Sequence, residues 1–416
     1  MFKKILSIIS AVLIFAGTVI SAQASKTQLF ADVDENGRID ASDARMVLRF
    51  SVDLDYYNRA RLLLGDTDGN GKLTASDARN ILRFSVGLDT PAKKTVEIRD
   101  SDYNEFINKP SETDIFDVTP PAAPEVSKEH DTFTFNVYGY GHGVGLSQYG
   151  SLTLDENGYK YNDILTHYYS GTEVKFIDEF PAFVIYPTYE YSEEAGKETW
   201  VQKERDTIEL LVRMVYQEIY GVTKNGKYEE ALKAMTICIF TNLAYFDFNV
   251  KSRWDVGVAY EGDYENIPSD LKSLVGEVIG QYITVKGKSD PIMAVYSGLA
   301  AGMTASAESV WGYPHSYLTA VPSHFDMNNP IFIKQYTYKS EDLKKLILSY
   351  DSSIVLSSDP AEWLEILEHT ASMDENRGYV TKIRVGNKVL SGYNQFQFDL
   401  MGNKFISSCF TVDYTA

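Results

Sequence analysis

One stretch decides how the larger, C-terminal part of the chain is interpreted: Gly139-Tyr-Gly-His-Gly-Val-Gly-Leu-Ser-Gln-Tyr-Gly150. Gly141, Gly143 and Gly145 surround His142 and leave it as the one bulky group on a bare length of backbone. Because glycine accepts positive φ and close approach, a polymeric ligand could lie against such a surface. By itself the stretch also fits a bulged strand with a structural histidine, and its context has to decide between the two.

Length and charge limit the classes of protein to consider. The chain has 416 residues, which predicts two or more folded units. Its 58 acidic and 39 basic residues give a net charge of -19, which argues against nucleic acid and favours neutral polymers and cations as partners. Cys238 and Cys409 lie in apolar runs, so we expect them to pack in the core, without a disulfide framework or a cysteine-based zinc module.

The N-terminus has the pattern of a secretory signal peptide. Lys3 and Lys4 precede an apolar run from Ile5 to Ile20, and small residues up to Ala24 form a cleavage site. We expect residues 1–24 to be removed. The mature protein is then predicted to be exported and soluble, without a stable membrane span.

An internal repeat follows. Ala41-Ser-Asp-Ala-Arg45 recurs as Ala75-Ser-Asp-Ala-Arg79, and an acidic loop precedes each copy. Oxygen ligands at loop positions 1, 3, 5 and 12, a glycine at 6 and a backbone carbonyl at 7 are what calcium requires of one loop. The predicted ligands are Asp32, Asp34, Asn36, Arg38 and Asp43 in the first loop, and Asp66, Asp68, Asn70, Lys72 and Asp77 in the second. We therefore predict two calcium ions.

The duplicated loop and helix, with Asp at position 12, resembles a type I dockerin. Dockerins are the small calcium-folded modules by which secreted enzymes bind cohesins of a cellulosome scaffold. The resemblance implies an all-α module over residues 25–89, a cohesin partner, and an extracellular or cell-surface location. The residues that it implies face the cohesin are Ala41, Ser42, Leu48, Arg49, Ala75, Ser76, Leu82 and Arg83. Since the two faces are nearly identical, two binding orientations are expected.

Residues 90–130 are predicted to be a partly extended linker, because prolines gather there among acidic residues, Ser and Thr. Within it, the stretch from Val96 to Ile107 is apolar enough to fold against a neighbour. Residues 131–416 combine two helical stripes between Asp206 and Tyr245 with strand-like runs, including Tyr282–Val285, Ile292–Ser297 and Tyr379–Val385. This mixture predicts an α+β domain, and the whole chain is predicted to be multidomain.

The C-terminal domain resembles the stage II sporulation protein D family, also known through the amidase-enhancer domain. The segments that carry the resemblance are Glu209–Ile219, the start of the helix at Glu230–Ala234, and the opening stretch with Ile164–Thr172; weaker support comes from Tyr296–Thr304 and Ser309–Gly312. The better-studied members are lytic transglycosylases that act on peptidoglycan glycan strands. The resemblance implies that Glu218 is the catalytic acid and base.

The same resemblance implies the remaining site residues. The residues that it implies bind substrate are His142, Ser147, Gln148, Tyr149, Tyr168, Ser297 and Thr304, although Tyr168 fits a core position equally well. Zinc is not expected, because the loop from Gly298 to Ala301 lacks the cysteine that helps to hold zinc in many members. The family's second helix usually continues with Gln, Arg and Tyr, whereas this chain has Met235, Phe240 and Asn242.

The order of the segments differs from the family, in which the glycine-histidine signature closes the domain. Here it opens the domain, which a circular permutation would explain. The prediction is that the strand around Phe410–Val412 lies beside the strand at Thr132–Val137, where the family's chain runs on continuously.

Three hypotheses for function follow. The first is a cellulosome-associated lytic transglycosylase that cleaves peptidoglycan strands with Glu218. The second is a non-catalytic module that binds envelope glycan, similar to an amidase enhancer. The third is an enzyme that acts on a plant polysaccharide, which the dockerin resemblance suggests.

Overall fold

The computed structural model describes residues 25–52, 57–103, 107, 115–223, 227–374, 376–402 and 404–416. The chain divides into two compact units, Met1–Lys109 and Pro110–Ala416. The predicted signal peptide, residues 1–24, lies outside the described residues. Among the helices that the structure describes, none is long and apolar enough to cross a membrane.

The N-terminal unit combines helices with a small sheet. Its helices are α1 (Ala41–Ser51), α2 (Arg59–Gly65) and α3 (Ala75–Ser85), and its strands are β1 (Ser25–Leu29) and β2 (Thr95–Arg99). The two strands pair antiparallel, with Ser25 opposite Arg99. Val33, Val47 and Ile81 from the two repeats share one core with Ile98 of β2. The all-α prediction for this unit was therefore wrong, because a two-stranded sheet completes its core.

The predicted linker over residues 90–130 also needs correction. Its first part supplies β2 to the N-terminal unit. Its last part lies along the C-terminal unit, where side chains donate hydrogen bonds to its backbone carbonyls: Arg377 to Pro121 at 2.7 Å, Gln335 to Glu125 at 2.9 Å, and Thr415 to Ser127 at 2.7 Å. A segment outside helices and strands still needs hydrogen-bond donors for its backbone carbonyls, and here side chains of the folded unit provide them.

The C-terminal unit mixes helices and strands throughout, so its α+β character is as predicted. Its helices are α4 (Gln148–Glu156), α5 (Tyr161–Tyr168), α6 (Thr207–Glu218), α7 (Glu229–Tyr245), α8 (Ser269–Val278), α9 (Ala307–Trp311) and α10 (Ser340–Tyr350), and a π-helix spans Gly392–Leu400. Its strands are β3 (Thr132–Tyr138), β4 (Leu146–Ser147), β5 (Thr172–Phe176), β6 (Phe183–Ser192), β7 (Lys197–Asp206), β8 (Gln281–Val285), β9 (Tyr296–Ser297), β10 (Gly302–Met303), β11 (Pro322–Ser323), β12 (Ile333–Lys339), β13 (Leu364–His369), β14 (Val380–Val385), β15 (Lys388–Ser391) and β16 (Cys409–Thr415).

Helices α6 and α7 confirm the two helical stripes. The side chain of Asp206 caps α6 by accepting a hydrogen bond from the backbone N–H of Glu209 at 2.9 Å. Every residue from Ala231 to Leu243 is buried, so α7 is a core helix that is surrounded on all sides. Helix α6 ends at Glu218, which places that carboxylate at a helix end and outside the core.

The strands that pair are only partly those predicted. Strand β8 and strand β14 match the predicted runs, whereas in the run from Ile292 to Ser297 only β9 is a strand. Strand β9 pairs in parallel with β4, and this pairing brings the glycine-rich stretch next to Tyr296. The reason for the shorter strand is local: the amide of Asn242 exchanges two hydrogen bonds with the backbone of Ala294, at 2.7 and 2.9 Å.

Strand β3 lies in the middle of a sheet of the order β12-β3-β16. Both neighbours are antiparallel to it, and Val412 of β16 stands opposite Phe135. The predicted adjacency of these two strands is confirmed. Thr415 stands opposite Thr132, so the end of β16 lies beside the start of β3.

Candidate functional site

A cavity of about 660 Å³ opens in the C-terminal unit, and Glu218 and His142 both line it. Glu218 comes from the end of α6, and His142 comes from the glycine-rich loop between β3 and β4. Aromatic side chains form much of the remaining wall, among them Trp254, Trp311 and Tyr393. The structure thus brings together the two residues that carry the catalytic hypothesis.

The Glu218 carboxylate is half-buried and held in place. Its Oε1 accepts a hydrogen bond from the backbone N–H of Val258 at 2.6 Å. Gln148 donates from Nε2 to the backbone carbonyl of Glu218 at 3.2 Å, so Gln148 fixes the end of α6. Burial raises the pKa of Glu218 above its ordinary value, although the hydrogen bonds from Val258 and Gln148 oppose the shift. The group therefore keeps its proton to a higher pH than an exposed glutamate.

Gly257 lets the chain pass close to this carboxylate. Its φ of +125° is unfavourable for any residue with a side chain. A Cβ at this position would overlap the hydroxyl of Tyr296 and lie 3.3 Å from Glu218 Oε1. Sequence reasoning missed this residue, although a glycine between Val256 and Val258 was a signal.

His142 is fixed in orientation and neutral. Its Nδ1 accepts a hydrogen bond from the backbone N–H of Val144 at 3.0 Å, and the backbone of Tyr296 also bonds to the ring. Burial lowers the pKa of His142 to about 4. Its ring lies 5.2 Å from that of Trp311, measured between centroids. At neutral pH the ring is therefore an uncharged imidazole, which is a poor general acid, and it lines the cavity.

The glycines beside His142 allow close packing within the protein. Gly145 has a φ of +74°, and a Cβ there would overlap the carbonyl oxygen of Val295. A Cβ at Gly143 would overlap the ring of Tyr379. The backbone at Gly143 and Gly145 is therefore covered by neighbouring chain, so a polymer cannot lie directly on these two glycines, whereas Gly141 lines the cavity.

Ser147 and Tyr168 lie in the core, away from the cavity wall. Ser147 is buried and caps α4, since its Oγ accepts from the backbone N–H of Gly150 at 3.1 Å. The hydroxyl of Tyr168 is buried 3.0 Å from Ser323 Oγ. Of the two interpretations of Tyr168, the structure agrees with the core position. We no longer expect either residue to contact substrate.

Ser297 and Thr304 are buried as well. Ser297 Oγ accepts from the backbone N–H of Gly143 at 3.1 Å, and Thr304 Oγ1 accepts from that of Val321 at 2.9 Å. Both hydroxyls therefore satisfy backbone groups of irregular segments. Tyr149 is half-buried against the main core and does not line the cavity. Of the predicted substrate-binding residues, only His142 lines the cavity, and Gln148 touches the catalytic candidate.

The turn Arg253–Asp255 supplies cavity residues that sequence reasoning missed. Arg253, Trp254 and Asp255 all line the cavity. The Asp255 carboxylate accepts a hydrogen bond from the backbone N–H of Ser252 at 3.1 Å and thereby holds the turn. One signal in the sequence marks this turn, the neighbouring large residues Arg253 and Trp254 in a stretch without helical or strand periodicity.

The departures from the family in the second helix do not remove polar groups from the cavity. Met235 and Phe240 are fully buried, and the Phe240 ring packs 5.1 Å from that of Phe180. Asn242 lines the cavity, but both of its polar atoms bond to the backbone of Ala294. These substitutions are accommodated by the core.

Each of the two acidic loops of the N-terminal unit brings together three carboxylates that could hold a cation. Carboxylate oxygens of Asp32, Asp34 and Asp43 lie within 4.8 Å of one another. The equivalent oxygens of Asp66, Asp68 and Asp77 do the same. Burial raises the pKa of Asp32 and Asp43, because the low dielectric and the neighbouring carboxylates disfavour their negative charge. A divalent cation would relieve this repulsion in the first loop.

The loop backbones follow the same course. Asp32 accepts hydrogen bonds from the N–H groups of Asn36 and Gly37, at 3.0 and 2.8 Å. Asp66 accepts the corresponding bonds from Asn70 and Gly71, at 3.0 and 2.9 Å. Each loop curls around its first aspartate, so the backbone carbonyls predicted at Arg38 and Lys72 follow directly after the turn.

Half of the residues predicted to face a cohesin lie in the first turns of α1 and α3, and the other half lie further along these helices. Ala41, Ser42, Ala75 and Ser76 form the first turns of α1 and α3. Leu48 and Leu82 are exposed at equivalent positions of the two helices. Arg83 forms an ion pair with Asp89, and Arg49 is exposed in the last turn of α1. The two leucines are therefore accessible at matching positions of the repeat.

Comparison with known proteins gives local similarities. The chain is 41% identical over 56 residues to Stage II sporulation protein D of Bacillus subtilis, which covers 14% of this chain and 16% of that protein. The protein of the same name from Bacillus amyloliquefaciens gives the same values. The Amidase enhancer of Bacillus subtilis is 47% identical over 47 residues, 11% of this chain and 7% of that protein.

These matches cover only a small part of this chain and of each relative. The chain spans 16% of the length of the first two relatives. A comparison with protein-family models finds no match. The similarities support a domain like that of stage II sporulation protein D in this chain, within a mixed α/β fold.

Proposed function

We propose that this protein acts on the glycan strands of the cell wall as a lytic transglycosylase, with Glu218 as its acid and base. The observation that carries the proposal is the half-buried Glu218 carboxylate, whose pKa is raised, at the wall of an aromatic-lined cavity. A general acid needs a proton at working pH, and burial provides that condition. Local similarity to stage II sporulation protein D and the Amidase enhancer supports a cell-wall role.

The reaction needs one carboxyl group in two protonation states. Protonated Glu218 gives its proton to the glycosidic oxygen, and the bond from that oxygen to the anomeric carbon breaks. The 6-hydroxyl of the same sugar then bonds to the anomeric carbon and returns its proton to Glu218. Hydrolysis by two carboxylates would instead consume a water. Asp255 also lines the cavity, but its bond to the Ser252 N–H assigns it to the turn.

The surroundings of Glu218 suit this cycle. The N–H of Val258 stabilises the carboxylate after the proton has left, and burial stabilises the protonated form. His142 stays neutral and orients the sugar by contact, together with Trp311. Apolar sugar faces pack on such rings.

The test is cleavage of peptidoglycan strands that have been freed of stem peptides. The expected products carry 1,6-anhydro ends, which mass spectrometry recognises by the loss of one water relative to hydrolysis products. Glu218→Gln should abolish the products, and Glu341→Gln, on the exposed surface of α10, should not. Cleavage that is undiminished in Glu218→Gln would overturn the proposal.

A second candidate is a module that binds glycan without cleaving it. The aromatic wall of the cavity favours binding whether or not turnover occurs. Strands retained by the protein and recovered intact would favour this candidate. Cleavage of xylan or pectin, with peptidoglycan untouched, would instead favour an enzyme for plant polysaccharides.

For the N-terminal unit we propose a calcium-dependent dockerin that binds a cohesin. The converging carboxylates of both loops fit calcium, which prefers oxygen ligands, and the matching exposed leucines fit a duplicated binding face. In this proposal the protein is exported after loss of residues 1–24 and joins an extracellular assembly. Mass spectrometry of the secreted protein should give an N-terminus at Ser25. Cohesin binding that survives a chelator would refute the calcium dependence.

A further inference from the structure

The hairpin of β6 and β7 exposes a row of aromatic side chains on one face. Tyr189 and Tyr191 alternate along β6 and therefore point to the same side. Trp200 of β7 stands directly opposite Tyr189, and their ring centroids are 5.3 Å apart. The exposed fractions are 54% for Tyr189, 63% for Tyr191 and 50% for Trp200.

Arg253 connects this row to the cavity. Its guanidinium lies over the ring of Trp200 and over the ring of Trp254, at 4.7 Å from each centroid. Both Arg253 and Trp254 line the cavity that contains Glu218. Trp254 is 77% exposed. The aromatic surface is therefore continuous from the cavity mouth to the hairpin, through one cation stacked between two indoles.

The hairpin is held firmly against the turn that carries Arg253. Ile185 of β6 donates to the carbonyl of Phe248 at 3.0 Å and accepts from the N–H of Val250 at 2.9 Å. Gln202 of β7 donates from its side chain to the carbonyl of Lys251 at 3.2 Å. These bonds tie both strands to the segment that leads into the turn, so the aromatic row has a fixed place beside the cavity.

We propose that Trp254, Trp200, Tyr189 and Tyr191 form an aromatic track that binds the part of a glycan chain outside the cavity. The inference rests on the proposed function, because it takes the ligand to be the same polymer that Glu218 cleaves. Exposed aromatic rings offer flat apolar faces, and the apolar faces of sugar rings stack on them. The enzyme then prefers long strands to short fragments.

The chemistry of this face favours a glycan over a protein partner. Glu198, Gln202 and Glu204 are exposed on the same side of β7, between and beyond the rings. Charged residues are depleted at the centres of protein–protein interfaces. A sugar chain, in contrast, needs hydrogen-bond partners for its hydroxyls at each step beside the stacking surface, and these side chains provide them.

Binding without cleavage tests the track separately from the reaction. Stem-peptide-free peptidoglycan strands, fractionated by length, are titrated into full-length protein that carries Glu218→Gln. Adding Trp200→Ala or Tyr189→Ala should weaken the binding of long strands about tenfold. Their affinity should fall to that of fragments too short to leave the cavity. Tyr189→Phe keeps the ring, and Thr199→Ala changes the opposite face of the hairpin, so both should bind like the parent.

The outcomes separate the two proposals. Long strands that bind equally well to the parent and to Trp200→Ala would overturn the track, even if wild-type protein cleaves them. Strands that bind through Trp200 but are never cleaved by wild-type protein would support the track and refute the transglycosylase. Protein that binds no strand, or that self-associates through Trp200 with unchanged glycan binding, would also overturn the track.

Discussion

Replacing Glu218 by glutamine separates the chemistry of this carboxyl from its structural contacts. Glutamine keeps the acceptor oxygen that receives the Val258 N–H at 2.6 Å, and it leaves the backbone carbonyl that Gln148 contacts unchanged. What disappears is the exchangeable proton. Acid and base catalysis contribute about 10²- to 10⁴-fold to a rate, and Glu218 supplies both, so cleavage should fall toward the upper end of that range.

Stability should change in the opposite direction from activity. Burial raises the pKa of Glu218 in the folded protein above its value of 4.5 in the unfolded chain. Below pH 4.5 the carboxyl is protonated in both the folded and the unfolded state, so it does not lower the free energy of unfolding. As the pH rises through the folded pKa, the native state must carry a buried charge and loses stability relative to the unfolded state. Glutamine carries no charge, so the variant should gain stability over the wild type as the pH increases.

The assay measures melting temperature and strand cleavage for wild type, Glu218→Gln and Glu341→Gln between pH 4 and pH 8, roughly the range over which a carboxyl with a raised pKa titrates. Glu341 is an exposed glutamate on α10, which makes it a matched control for the change from acid to amide. Only Glu218→Gln should lose activity and gain stability with rising pH. A variant that is less stable at every pH would refute the argument that the site is strained by a buried charge.

Three further predictions address other parts of the molecule. Gly257→Ala should destabilise the fold by roughly 1–3 kcal/mol in urea unfolding, because its Cβ would overlap the Tyr296 hydroxyl at a φ of +125°, and it should also reduce cleavage. Asp326→Asn should raise the melting temperature more at pH 8 than at pH 4, since burial raises the pKa of Asp326 to about 7 and the native state must ionise it above that pH; an equal effect at both pH values would contradict this. Asp34→Ala with Asp68→Ala should weaken calcium binding by calorimetry about tenfold or more and abolish cohesin binding, with strand cleavage by the other unit unchanged.

The sequence predicted the parts of the fold that depend on local pattern. Helical periodicity located α6 and α7, and the repeated ligand spacing brought together two sets of three carboxylates. Both signals lie within a few consecutive residues. The sheet of β1 and β2 was missed because it joins segments on either side of the repeats. Strand β2 alternates between exposed and buried or half-buried residues, but β1 shows no alternation that would identify it as the partner.

In the cavity, too, the residues with a local sequence pattern were predicted and those without one were missed. Glu218 was found because a helix end with a family motif fixes its position, whereas Trp254 and Gly257 lie in an irregular turn without periodicity. Ser147 and Thr304 were misassigned for a related reason. A hydroxyl in such a motif can bond to a substrate or to the protein backbone. Only the fold shows that the Thr304 hydroxyl already accepts from the N–H of Val321, and the Ser147 hydroxyl from that of Gly150.

The position of β16 bears on the proposed circular permutation, in which the segments come in another order than in the family that the C-terminal unit resembles. Thr415, at the end of β16, stands opposite Thr132 at the start of β3, in an antiparallel pair. Two antiparallel strands in this arrangement can be joined by a hairpin turn of two residues. The order of segments in that family could therefore be restored by a short turn here and a cut elsewhere, but the segment before β3, which bonds to this unit through Pro121, Glu125 and Ser127, would be displaced. The pairing of β16 with β3 is therefore compatible with the proposed permutation, and the role proposed for Glu218 rests on its place at the end of α6 and not on the order of the segments.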